Sequence, residues 1–174
     1  SLNSALELDP SDTDALNNLG NIEFQEGKLE TALDLYRQAQ LLRPGWSELH
    51  HNMGVLYQKL ERIDDAKAEF LEALKIDQKY SRALIHLGEI ESQEGNFEEA
   101  EAYFLTAAKH TKFDAESEFS LGTLYHLKEN YPEAIKHFKL SLGIKDSIPE
   151  VWNNLGNSQM ENGDLDDALV SFNR

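Results

Sequence analysis

The stretch TDALNNLGNIEFQEGKLETALDLYRQAQLLRPGW, residues 13–46, decides the fold, because the rest of the chain consists of copies of it. Placing Leu19-Gly20 over Met53-Gly54, Leu87-Gly88, Leu121-Gly122 and Leu155-Gly156 gives four successive steps of 34 residues, with no insertion or deletion. A fixed period of this length predicts a solenoid of stacked repeats, each unable to bury its apolar face alone. The expected repeats are 13–46, 47–80, 81–114, 115–148 and a truncated 149–174, and residues 1–12 read as the second-helix remnant of a preceding copy. Together they form one continuous domain. Both ends then fall inside a helix without a polar cap, the expectation for a piece of a longer array.

Two helical patterns fill each period. In the first repeat, Ala15, Leu16, Leu19, Ile22 and Phe24 recur at helical spacing and predict a helix over about 13–26. Gly27-Lys28 breaks it. A second helix over about 30–41 turns Ala32, Leu33, Leu35, Tyr36 and Ala39 inward, and Pro44 ends it. Gly27, Gly95 and Gly163 supply a residue tolerant of positive φ at the turn, with Asn130 expected to do so in the fourth copy. The second copy reads Leu60-Glu61-Arg62-Ile63, so its turn is expected to be the most strained or differently shaped. Ser11-x-x-Asp14 and Ser147-x-x-Glu150 have the form of capping boxes for two first helices.

Composition narrows the function. A net charge of −16 disfavours nucleic acid and anionic membranes, which need clustered Lys and Arg, and favours partners that are neutral, basic or amphipathic. The absence of cysteine removes disulfides, thiolate metal sites and cysteine nucleophiles, and leaves the compartment undetermined. No apolar run is long enough for a transmembrane span or a signal-peptide core. Catalysis finds little footing: His50 and His51 are adjacent, so they point about 100° apart on a helix and cannot share a metal. The remaining histidines show no four-residue pairing, and Asn162-Gly163-Asp164-Leu165-Asp166-Asp167 lacks the order and downstream Glu of a calcium loop. Neither a cofactor nor a metal is expected.

Small residues recur where two helices must approach: Gly20, Gly54, Gly88, Gly122 and Gly156, then Ala32, Ala66, Ala100, Ala134 and Ala168. Tyr36, Phe70, Phe104, Phe138 and Phe172 fill the space beside them. Across nearly its whole length the chain resembles the tetratricopeptide repeat family, with departures at Gln78, Lys112 and Asp146, where the family's late proline is replaced. The RNA-binding pentatricopeptide family has a similar hairpin, but acidity and the strict spacing argue against it. The resemblance implies an all-α, right-handed α-solenoid of antiparallel helix-turn-helix repeats, acting as a non-catalytic protein-interaction scaffold with a concave groove lined by the first helices.

Carried onto this sequence, that groove comprises Asn17, Asn21, Phe24, His51, Asn52, Val55, Arg82, Ile85, His86, Glu89, Phe119, Thr123, His126, Leu127, Asn153 and Asn157. Ile85, Phe119 and Leu127 lie off the expected core face and read as an exposed apolar contact patch; the competing reading is contact with a neighbouring first helix. Some family members hold C-terminal carboxylates in a clamp of Lys, Asn and Arg. Here Asn17, Asn21, Asn52, Arg82 and His86 take those places, a match that has lost its first cation. Two other roles stay open: a structural spacer that self-associates through its cut ends or convex face, and the substrate-recognition array of a larger enzyme such as a glycosyltransferase. A weaker regularity accompanies these. Glu23, Glu91 and Gln159 alternate with Tyr57 and Tyr125, as duplication of a two-repeat unit would leave them.

Overall fold

The computed structural model describes residues 11–110 and 114–174, so most of the remnant expected at 1–12 lies outside the described residues. Among the described residues there are ten helices and no strand: α1 Thr13–Gln25, α2 Leu29–Leu42, α3 Ser47–Lys59, α4 Ile63–Ile76, α5 Ser81–Gln93, α6 Phe97–His110, α7 Ala115–Leu127, α8 Tyr131–Ile144, α9 Pro149–Asn162 and α10 Leu165–Phe172. The boundaries in the first repeat fall within one residue of those read from the periodicity. The chain divides into two compact units between Ala83 and Leu84, inside α5. In the first unit α1 packs on α2 and α3 on α4, with α2 also against α3. In the second, α6 packs on α7, α7 on α8, and α9 on both α8 and α10.

One contact recurs in every pair. A Cβ built on Gly20 would stand 2.5 Å from Tyr36 Cε1, and the same construction puts Gly54 2.5 Å from Phe70, Gly88 2.5 Å from Phe104, Gly122 2.6 Å from Phe138 and Gly156 2.5 Å from Phe172. No real Cβ fits there, so the ring of the second helix occupies the volume that a side chain on the first would need. A helical glycine costs about 0.5–1 kcal/mol relative to alanine, while burying an aromatic ring contributes about 1.5–3 kcal/mol. The exchange favours the ring. Tyr36, alone of the five in carrying a hydroxyl, donates it to Asn21 Oδ1 at 2.6 Å, and burial pushes that phenol up to about 12.

The turns between paired helices are alike. Gly27, Glu61, Gly95, Glu129 and Gly163, each 34 residues after the last, all take positive φ, between 57° and 90°. In each turn the next residue's amide closes on the carbonyl four before the positive-φ position: Lys28 to Glu23, Arg62 to Tyr57, Asn96 to Glu91, Asn130 to Tyr125 and Asp164 to Gln159, at 2.8–2.9 Å. The second turn is therefore strained but not differently shaped. In the fourth copy Glu129, not Asn130, is left-handed, because the bonding register picks the position before propensity can. The capping boxes also differ from expectation. Asp12 caps α1 by accepting from Ala15 N at 2.9 Å, one residue after Ser11. α9 has Ile148 at its cap with no side-chain bond, and Pro149 begins the helix.

Two partly buried histidine–glutamate contacts join first and second helices. His50 Nδ1 meets Glu69 Oε2 at 2.7 Å while its Nε2 meets the Pro44 carbonyl oxygen at 3.0 Å. Both partners accept, so the ring satisfies both only as an imidazolium donating from each nitrogen. The Glu69 bond, opposed by burial and aided by the Pro44 carbonyl and Glu72, holds His50 above its ordinary value. In the second unit the pair is inverted: Glu118 on α7 meets His137 on α8 at 2.7 Å, and His137 stacks on Tyr125 at 5.2 Å.

Gly54→Ala should lower stability to urea by about 1–3 kcal/mol through overpacking against Phe70. Gly143→Ala, in α8 with nothing within 4 Å of the new Cβ, should raise it by up to about 1 kcal/mol. Equal effects of the two would refute the packing account. Glu61→Gly relieves a left-handed side chain worth about 1–2 kcal/mol of strain and, after the entropy of glycine, should gain up to about 1 kcal/mol. A raised histidine stabilises the fold fully below its unfolded value of 6.5 and loses that contribution as pH rises through its folded value. His50→Gln should consequently cost more at pH 6 than at pH 9 in urea titrations; a loss independent of pH would show that the charge is not involved.

Candidate functional site

In the first unit, several expected groove residues turn out to serve the fold. Asn17 is 2% exposed, and its Oδ1 accepts from Asn52 Nδ2 at 3.0 Å. Asn52 Oδ1 in turn lies 3.3 Å from His51 Nδ1. His51 is buried with its ring 5.8 Å from that of Phe70 and 5.4 Å from that of Tyr80. Asn21 is engaged by the Tyr36 hydroxyl, a bond without a repeat signature because the other copies carry Val55, Glu89, Thr123 or Asn157 at the first position and phenylalanine at the second. Phe24 and Val55 are half-buried, and Arg82 is exposed. Of the clamp pattern, Asn17 and Asn52 thus bond each other, and His86 is paired with Glu89 at 3.1 Å.

The second unit holds an open cavity of about 300 Å³ lined from α5 by Glu89, Ser92 and Gln93, from α6 by Phe104, and from α7 by Phe119, Ser120, Thr123, Leu124 and Leu127. Phe119 is half-buried, with its ring 5.9 Å from that of Phe138, and Leu127 is 53% exposed. Ile85 is not part of this patch: at 2% exposure it is buried with the core. The hydroxyl of Thr123 is spent on the Phe119 carbonyl at 3.1 Å. Its methyl is then the part left for the cavity.

Thr123 and Leu127 also line a smaller cavity of about 90 Å³, completed by His126, Phe138, Asn154 and Asn157. Leu127 is therefore the lip between the two. Ser158 Oγ donates to the Asn154 carbonyl at 2.9 Å, so the 2.9 Å contact of His126 Nδ1 with Ser158 Oγ has Nδ1–H as the donor. That tautomer leaves Nε2 as the acceptor end of the ring. Asn153, expected here, is exposed and lines neither cavity; its neighbour Asn154 does. The helical rotation of one residue separates them, so the repeat position of Asn17 leads to Asn153 while the cavity takes Asn154.

The electrostatics of this surface are negative. Tyr131, whose ring meets that of His126 edge-on at 5.5 Å, is held above its ordinary value by burial first and then by the carboxylates of Glu129 and Glu161. Lys128 is tied to Glu101 at 2.8 Å, and the same carboxylate accepts the Tyr125 hydroxyl at 2.6 Å. Among the described residues no Lys or Arg lines either cavity. Among them, too, no three His, Asp or Glu are grouped to hold a metal ion, and no helix is long and apolar enough to cross a membrane.

Comparison with known proteins agrees with this architecture. The tetratricopeptide repeat model matches residues 11–79 and again 79–147. The inactive TPR repeat-containing thioredoxin TTL3 of Arabidopsis thaliana is 36% identical over 84 residues, covering 44% of this chain and 12% of that protein. The human protein O-mannosyl-transferase TMTC3 is 34% identical over 98 residues, covering 53% of this chain and 10% of that protein. The chain thus spans only a small part of these relatives' length. A solved structure of Pseudomonas aeruginosa PilF superposes with a TM-score of 0.85 at 22% identity, over 92% of this chain and 73% of that one, a likeness of fold. With the glycine–aromatic pairs, the common turn and two tandem matches to the family model, the chain belongs to the tetratricopeptide repeat family.

Proposed function

We propose that the chain is a non-catalytic scaffold that captures a segment of a partner protein against its first helices, and that the second unit carries the principal contact. The repeats are protein-interaction modules by family. The observation that carries the finer reading is the pair of cavities sharing Leu127, an apolar side chain left half in solvent beside Phe119 and Thr123. An exposed apolar lip over a preformed cavity has no packing role to explain it. Asn157 and Asn154 add carboxamides able to bond the backbone of a bound segment. Phe24, Val55 and Arg82 remain candidates on the first unit, and His86, Glu89, His126 and Asn153 on the second.

A second reading has one observation in its favour, the partial likeness to human TMTC3. In that reading the repeats present a protein substrate to an enzyme domain of a longer chain. The same groove would serve, so the two readings share their surface and differ only in the fate of the bound segment.

The test is a selection of randomised peptides on the wild-type chain, with affinities then read by fluorescence polarisation. Leu127→Arg should weaken the selected peptides at least tenfold. Leu105→Arg, at an exposed leucine of α6 (47% exposed), should leave them unchanged. Selected peptides indifferent to Leu127→Arg would place the binding surface elsewhere.

A further inference from the structure

We infer that the segment this groove accepts carries a single large apolar side chain set between basic residues. The inference rests on the groove reading above and adds to it the chemistry of the ligand. Size gives the first part. At about 300 Å³ the larger cavity sits at the bottom of the range for whole-ligand pockets, so it takes one anchoring side chain rather than the face of a helix. Phe104, Phe119, Leu124 and Leu127 supply its apolar walls. A buried anchor of this kind is what concentrates binding energy at protein interfaces.

Charge gives the second part. Glu89 stands on the wall of the larger cavity with its side chain 43% exposed, and it pairs with His86, not with a lysine or arginine. Near the smaller cavity, the carboxylates of Glu129 and Glu161 act on the phenol of Tyr131, whose ring meets that of His126 edge-on. Carboxylates therefore flank the anchor position on both sides. The nearby Lys128, which would offset them, is held on Glu101. The small cavity also offers acceptors: His126 Nε2 and the carboxamide oxygens of Asn154 and Asn157 suit an ammonium or guanidinium arriving with the ligand. A segment with acidic flanks would meet like charge at both ends, in a molecule already at −16.

Four synthetic peptides of equal length test this by fluorescence polarisation. They are a central tryptophan with lysine flanks, the same with glutamine flanks, the same with glutamate flanks, and lysine flanks around a central serine. The lysine–tryptophan peptide should bind at least tenfold tighter than the glutamine one at low salt, with the ratio falling toward one as salt shortens the Debye length. The glutamate and serine peptides should not bind measurably. Glu89→Gln combined with Glu129→Gln and Glu161→Gln should remove most of the ratio, whereas Glu30→Gln with Asp64→Asn and Glu98→Gln, on second helices, should leave it.

The ways of failing are distinct. If lysine- and glutamine-flanked peptides bind alike and both lose binding in Leu127→Arg, the groove stands and the charge inference falls. If the serine peptide binds as tightly as the tryptophan one, attraction to a diffuse negative surface explains the binding and the inference falls. If Leu127→Arg changes nothing, or no peptide binds at millimolar concentration, the groove reading falls with it.

Discussion

Everything in this chain is arranged around the exclusion of one carbon atom. Where a Cβ on Gly54 would stand, the ring of Phe70 already lies, and each of the other four pairs is built the same way. The ring is buried because the first helix has nothing there, and the first helix can come close because the alanines of the second, such as Ala66 and Ala73, are fully covered. That contact sets the distance between paired helices. The distance in turn determines which residues of the first helix reach the surface and which are absorbed between neighbours, so the candidate site is a by-product of the packing.

The fold was legible because its constraint is short-range and repeated. Glycine and ring are 16 residues apart in each copy, and a single substitution pattern is visible five times over. The candidate site was legible only in part, for the opposite reason. Asn17 and Asn153 occupy the same repeat position, yet Asn17 is buried under Asn52 and Asn153 is exposed. A side chain's fate on the first helix depends on which residue the next first helix sends toward it, and no periodicity records that. Ile85 and Leu127 are alike in hydrophobicity yet distinct in burial, one covered and the other, the last residue of α7, half in solvent. Turn propensity misled at Asn130 because hydrogen-bond register outranks residue preference: the left-handed position is fixed by the bond from the next amide, and Glu129 accepts the strain.

The repeats also differ in a regular way. Even-numbered copies carry a tyrosine at 57 and 125, a strained glutamate at 61 and 129, and a partly buried histidine–glutamate contact, while the first and third copies have Leu16 with Leu35 and Leu84 with Tyr103, none of them ionised, at those positions. The alternation fits a duplicated two-repeat unit and goes beyond the single tyrosine position at which the sequence displays it most openly. It also means that the copies are architecturally equal and chemically unequal. Identity is kept where helices must touch, and variety is allowed where they merely face.

A chain of near-identical hairpins carries a hazard of its own, since any first helix fits the second helix of any copy well enough to dock. The inverted histidine–glutamate contacts bear on that hazard. Docked on the second helix of the fourth copy, α3 would set His50 against His137; docked on that of the second, α7 would set Glu118 against Glu69. Either product sets two like side chains together where each correct product sets a histidine against a carboxylate that accepts from it. The two pairs therefore distinguish helices that the glycine–ring contact alone leaves interchangeable.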